Sequence, residues 1–442
     1  MTSSLKSANI PAPASTIGPT VESERLHVLD ILRGCAILGM FLVHFITSFY
    51  FRGESRSATD GGAIGAVIFQ VVVEWFVHNK GWAIFTILFG VGFAMQLRRA
   101  DTHGEDARWR YLRRLLGVAG IGMVTAALVG ATDLIGYVTS GLWLLIVRRW
   151  STRALVVLLL ATIALGGLIN VAVGTYQWAT VGVEGANAVY RSPRPVSPAK
   201  QAANEETSAA RQGTSFGRLA SAHVVSRVFY RVTDLWGDWK RGIPGTLLGS
   251  LIFNLPFFLI GLLAFRLGVF ERPAQHRRLL ISAMLVGAAL WAIDTWNLHE
   301  SLWAWLPTIP VVQVAQPLHN GFGLVNGMFL SLTYVGAIVL LIAFSNVWAH
   351  RLATIFGAAG RLALTNYIVH FAVLSVLIYP YGFGVKFTPQ SGAAAAVILF
   401  AALAVFSRWW LARFRLGPAE WLLRSLTWFR IQPMLLRRNA DE

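Results

Sequence analysis

Residues 28–50 form an apolar run of membrane length that nevertheless holds Asp30, Arg33 and His44. An ionisable group near the middle of a bilayer costs at least about 2.5 kcal/mol, so such groups usually face protein or water and mark function. Each of the three suggests a chemistry. Imidazole can take or give a proton near neutral pH, and guanidinium pairs with carboxylate or phosphate. At about 3.6 residues per turn, the eleven steps from Arg33 to His44 rotate by about 1100°, close to whole turns, and rise about 16 Å. The two side chains therefore share one helical face, half a membrane apart. Asp30 and Arg33 stand three residues apart and side by side, where they can neutralise each other or leave Arg33 to meet an anion.

A second cluster lies near the C-terminal end. Asn366, Tyr367 and His370 are spaced to line one helical face, and Arg361 precedes them. They can form a polar seam between helices or a site. Asp133 with Tyr137 opens another apolar stretch, where the carboxylate could orient a histidine or cap the helix. Glu74 and His78 are one turn apart, but two ligands without a third do not make a metal site, and no metal is expected. Asp294, His299, His319 and Asn320 read as loop residues. Gly90 and Gly92 suit close helix approach, since no phosphate-loop motif occurs.

The elements that must hold these residues are membrane helices. The 442 residues are 55% hydrophobic and only 13% charged, well below the quarter usual in soluble domains. A net charge of +17 could suggest nucleic acid, but the arginines flank apolar spans and no nucleic-acid motif accompanies them. Cys35 is the single cysteine, which excludes an intrachain disulfide.

Residues 1–24 are rich in Ser, Thr, Pro and Ala and read as a disordered tail, without the apolar region of a signal peptide. The expected fold is an all-α polytopic bundle of about ten spans, each near the roughly 20 residues a bilayer needs. The spans fall at 28–50, within 63–97 with a break at His78-Asn79-Lys80-Gly81, and at 113–131, 133–147, 154–173, 245–265, 279–296, 322–343, 361–379 and 391–410. Arginine-rich loops alternate with poor ones, which places both termini in the cytoplasm. The long segment 174–244 is then outside. Its second half sets Leu219, Val225, Val228, Phe229, Val232, Leu235 and Trp236 against Arg218, Arg227 and Arg231, as in an interfacial amphipathic helix.

Several stretches resemble the YeiB-like family of bacterial membrane proteins. They are Leu29-Asp30-Ile31-Leu32-Arg33-Gly34, Phe85-Thr86-Ile87-Leu88-Phe89-Gly90-Val91-Gly92 and Phe258-Leu259-Ile260-Gly261, then Gly360-Arg361-Leu362-Ala363-Leu364-Thr365-Asn366-Tyr367 and Gly417-Pro418-Ala419-Glu420-Trp421. That family is similar to transmembrane acyltransferases, among them those that O-acetylate bacterial surface sugars. There an Arg and a His separated by ten residues on the first helix are the hallmark, a spacing that Arg33 and His44 have. The family commonly carries Asn at the position of His44, His at that of Thr125 and Gln at that of His370.

The resemblance implies a cell-membrane protein with an N-terminal acyltransferase-like bundle over 25–173 and a C-terminal domain with a basic tail over 245–442. It implies acyl transfer from an acyl-CoA-like thioester to a sugar, lipid or small-molecule acceptor, with no tightly bound cofactor. His44, Asp133 and His370 are the catalytic candidates. Asp30, Arg33, Arg361, Asn366 and Tyr367 are the donor-binding candidates. Intramembrane Asp, Arg and His also suit a transporter, and a structural partner for an envelope-synthesis complex is a third reading.

Overall fold

A computed structural model describes residues 27–48, 62–67, 73, 76–102, 107–129, 133–169, 172, 250–295, 330–378 and 383–435. The tail, Glu74, the amphipathic segment of 174–244, His299, His319 and Asn320 lie outside these residues, as do the side chains of Asp133 and Asp294.

The described chain is helical. In order it forms α1 (His27–Ile46), α2 (Gly62–Val67), α3 (Lys80–Thr102), α4 (Ala107–Val129) and α5 (Asp133–Val147). There follow α6 (Thr152–Ile169), α7 (Leu255–Arg266), α8 (Arg277–Thr295) and α9 (Leu330–Phe344). The last group is α10 (Asn346–Leu352), α11 (Ala358–Arg361), α12 (Ala363–Ile378), α13 (Pro389–Leu411) and α14 (Pro418–Trp428). Among the described residues the only β pairing is an isolated bridge between Phe414 and Leu435.

Local chemistry sets the helix ends. Asp30 in the first turn of α1 complements the helix dipole. The expected break before α3 is a turn in which Asn79 takes a positive φ of 64°, a conformation that Asn tolerates. Helix α13 opens on a reciprocal capping box between Thr388 and Ser391 with proline just inside the first turn.

Among the described residues four helices are long and apolar enough to cross a membrane: α1, α3 over Lys80–Arg99, α6 and α13. A fifth crossing results if residues Asn346–Arg361 and Ala363–Ile378, bent by 74° at their junction, act together. Leu134–Val147, Leu255–Arg266 and Leu330–Phe344 are apolar but short. Helix α4 begins with Arg108, Arg110, Arg113 and Arg114 in its first turns. The expected span at 361–379 also starts differently, because Arg361 ends α11 and the chain turns at Leu362 before α12 begins.

The buried core runs through α1, α3, α7, α12 and α13. Two crossings bring backbones into contact. A Cβ on Gly90 would collide with the Phe258 carbonyl and one on Gly261 with the Ile87 carbonyl, so α3 and α7 meet through reciprocal glycines. Likewise Gly34 lies against Phe356 and Gly360 against the Asp30 carbonyl, which presses the segment before α12 onto the start of α1. Gly90 is thus a packing glycine, whereas a Cβ on Gly92 would meet, among the described residues, the Arg114 guanidinium at an ordinary 3.9 Å.

Candidate functional site

Helix α1 carries His44 in its last turn, and α12 packs beside it carrying His370. His44 Nδ1 lies 2.9 Å from His370 Nε2, with the two ring planes within 8° of each other. His370 is fully buried, and its Nδ1 is 2.6 Å from the Tyr367 carbonyl oxygen. A carbonyl can only accept, so His370 Nδ1 carries the hydrogen. In a neutral ring Nε2 must then accept, which makes His44 Nδ1 the donor in the shared bond. The chain of bonds places the basic lone pair of His44 on Nε2.

Aromatic rings hold this pair. Phe41 stacks on His370 with centroids 4.5 Å apart, and Phe371 lies 4.8 Å from His44. The Tyr367 ring meets His370 edge-on at 5.6 Å. His44 keeps partial exposure while His370 has none, so access to the pair is through His44. His78, in the turn before α3, lies within electrostatic range of His44. Among the described residues no three His, Cys, Asp or Glu groups are arranged to hold a metal.

At the other end of α1 the expected pair forms: Arg33 Nη1 donates to Asp30 Oδ1 at 2.9 Å. The Asp30 side chain is 5% exposed and that of Arg33 29%, so the carboxylate is enclosed and the guanidinium reaches outward. Arg114 lies near enough to feel the charge of Arg33, with its guanidinium 5.3 Å from the Phe89 ring centre. The contact of Gly360 with Asp30 brings the backbone beside Arg361 to this same end.

The second cluster divides. His370 joins His44 and Tyr367 supports it, but Asn366 is turned to structure, its Nδ2 donating to the Ala359 carbonyl at 3.0 Å and to Ser407 Oγ at 3.1 Å. It ties α11, α12 and α13 together. Asp133 begins α5, and its side chain lies outside the described residues.

Glu420, Ser407 and the place of His78 beside His44 escape sequence reasoning. Glu420 lies in the first turn of α14, where an acid ordinarily serves its own helix dipole. Instead its Oε1 accepts from the Leu364 and Thr365 amides at 2.6 and 3.2 Å, and its Oε2 accepts from Thr365 Oγ1 at 2.5 Å. Thr365 Oγ1 accepts in turn from the Ala419 amide at 3.1 Å. One helix thereby caps the start of another, the one that bears His370. Burial pushes the Glu420 carboxyl above its usual range, against the opposing pull of these donors. Its place in the Gly417-to-Trp421 motif is the signal that marks it in the sequence.

Residues 264–430 match the family described as protein of unknown function (DUF418). Over 436 residues the chain is 26% identical to "Uncharacterized protein YxaH" of Bacillus subtilis, covering 95% of this chain and 98% of that protein. It is 24% identical over 426 residues to the "Uncharacterized 39.9 kDa protein in amylase 3'region" of Bacillus acidopullulyticus, covering 96% and 99% of the two. A stretch of 77 residues is 36% identical to "Uncharacterized protein YeiB" of Escherichia coli, 17% of this chain and 20% of that one. No solved structure matches the chain. Positions 44 and 370 are in contact with each other. Residues 264–430 thus match the DUF418 family, and part of the chain is similar to YeiB.

Proposed function

We propose that this protein is an integral-membrane acyltransferase that moves an acyl group from a thioester such as acyl-CoA to a hydroxyl or amine acceptor, with His44 as the base. The observation that carries the reading is the bond chain from the Tyr367 carbonyl through His370 to His44, which puts the basic lone pair on His44 Nε2. In the proposed step His44 Nε2 takes the proton of the acceptor hydroxyl as its oxygen attacks the thioester carbon. The carbon–sulfur bond breaks, and the thiolate leaves with the pair of electrons and recovers the proton from His44. The imidazolium formed in between keeps its Nδ1 hydrogen bonded to His370, which orients the base and eases its charge. Arg33, about 16 Å along the same helix, would meet the donor's phosphates at the end where Asp30 holds it. In this reading the protein spans a bacterial plasma membrane about ten times, with short and broken helices completing the bundle and both termini in the cytoplasm.

The test is turnover of radiolabelled acetyl-CoA by purified protein with sugar and lipid acceptors. A His44→Ala variant should lose about 10²- to 10⁴-fold, the usual contribution of a general base. Unchanged turnover would remove His44 from the mechanism. A second reading, a proton-coupled carrier, draws on the 74° bend between residues 346–361 and α12, because carriers often build sites on broken helices. Solute movement in proteoliposomes without a covalent product would favour it.

A further inference from the structure

A cleft of about 700 Å³ lies at the arginine-bearing ends of α3, α5 and α7, and neither His44 nor Arg33 lines it. Among the described residues its charged lining is Arg98, Arg148, Arg266 and Arg272 with Glu271, and His276 stands beside them. Arginines thus outnumber carboxylates four to one in the described lining. Leu97, Leu262 and Phe265 supply an apolar wall.

The cationic groups are held rather than loose. Arg98 Nη1 donates to Glu271 Oε1 at 2.6 Å, and its guanidinium sits 4.6 Å from the Phe265 ring centre. Arg266 donates to the Trp150 and Arg148 carbonyls at 2.7 and 2.8 Å, which closes the end of α5 without cancelling its charge. Arg272 is exposed on a tight turn in which Gly268, at φ 72°, accepts from the Glu271 and Arg272 amides. A basic mouth on an apolar wall, at the end of a membrane-type bundle, matches a ligand that is itself divided into an anionic head and a greasy tail.

We propose that this cleft binds a phosphate-bearing amphiphile, with the phosphate between Arg148 and Arg272 and the acyl chain along Leu97, Leu262 and Phe265. Bidentate geometry favours arginine for phosphate over a point charge. Two sources share that chemistry, an anionic phospholipid of the bilayer and an acyl-CoA. The proposal is independent of the histidine pair and of acyl transfer.

The experiment is calorimetric titration of the purified full-length protein in a neutral detergent, using dihexanoyl-phosphatidylglycerol, decanoyl-CoA and the zwitterionic dihexanoyl-phosphatidylcholine. One of the first two should bind with an affinity that falls with added salt, and which of them does so identifies the source. Arg148→Gln and Arg272→Gln should each weaken that binding about fivefold, the usual effect of one arginine near a lipid surface. Glu271→Gln, which releases Arg98 from its partner, should tighten it, and a folding defect cannot mimic that gain. Equal binding of the zwitterionic lipid, or affinities unmoved by all three substitutions, would overturn the proposal.

Discussion

His44 Nδ1 and His370 Nε2 stand 2.9 Å apart across 326 positions of sequence, and His370, held by the Tyr367 carbonyl, fixes the proton of His44. Removing His370 should therefore act through His44. His370→Leu leaves the His44 Nδ1 hydrogen without its acceptor inside the bundle, a loss of about 1–3 kcal/mol that corresponds to roughly 5- to 150-fold in turnover. His370→Gln can offer a carbonyl oxygen to the same hydrogen and should recover most of that loss. Steady-state turnover with an unchanged KM for the donor is the expected pattern, and equal behaviour of the two variants would contradict a positioning role.

Glu420 makes stability depend on acidity. Its carboxyl titrates higher in the folded protein than in the unfolded chain because burial disfavours the charge. The folded state therefore binds the proton more tightly. Its stabilising effect is full below the unfolded value and is lost as pH rises through the higher folded value. Thermal unfolding in detergent should show the melting temperature falling over that range in the native protein. Glu420→Gln, which keeps an acceptor for the Leu364 and Thr365 amides but cannot ionise, should flatten the dependence. Glu420→Ala removes the cap of α12 and should cost about 1–2 kcal/mol at low pH, and less as pH rises.

The α3–α7 crossing rests on bare backbone. Gly261→Ala would press a methyl group into the Ile87 carbonyl, and Gly90→Ala would do the same at Phe258. Overpacking of this kind costs about 1–3 kcal/mol, and the helices must separate to relieve it. Gly167→Ala, which meets nothing within 4 Å among the described residues, is the matched control and should not lower the melting temperature. Equal melting temperatures for all three would refute the close crossing.

What the sequence makes legible is local. The pairing of Asp30 with Arg33 follows from a three-residue step on a helix, and the break before α3 from polar residues interrupting an apolar run. The packing role of Gly90 follows from the absence of any phosphate-loop context. Long-range relations carry no such period. Nothing in the spacing of His44 or His370 announces that α12 lies against α1, so two separate candidates turn out to be one pair. Asn366 shares the expected face of α12 with His370, yet α11 and α13 claim it for structure. Glu420 is passed over for the same reason, since its partners belong to a helix more than fifty residues earlier. The bend before α12 is hidden because apolar composition continues through it.

The central claim is that His370 sets the tautomer of His44 so that Nε2 carries the basic lone pair. Nitrogen-15 NMR of protein labelled in histidine, in detergent at neutral pH, reads this directly, with His44→Gln and His370→Gln assigning the signals. The account predicts a protonated Nδ1 and unprotonated Nε2 for both residues, and a coupling between His44 Nδ1 and His370 Nε2 across the hydrogen bond. A His44 ring protonated at Nε2, with Nδ1 accepting from His370, would contradict it.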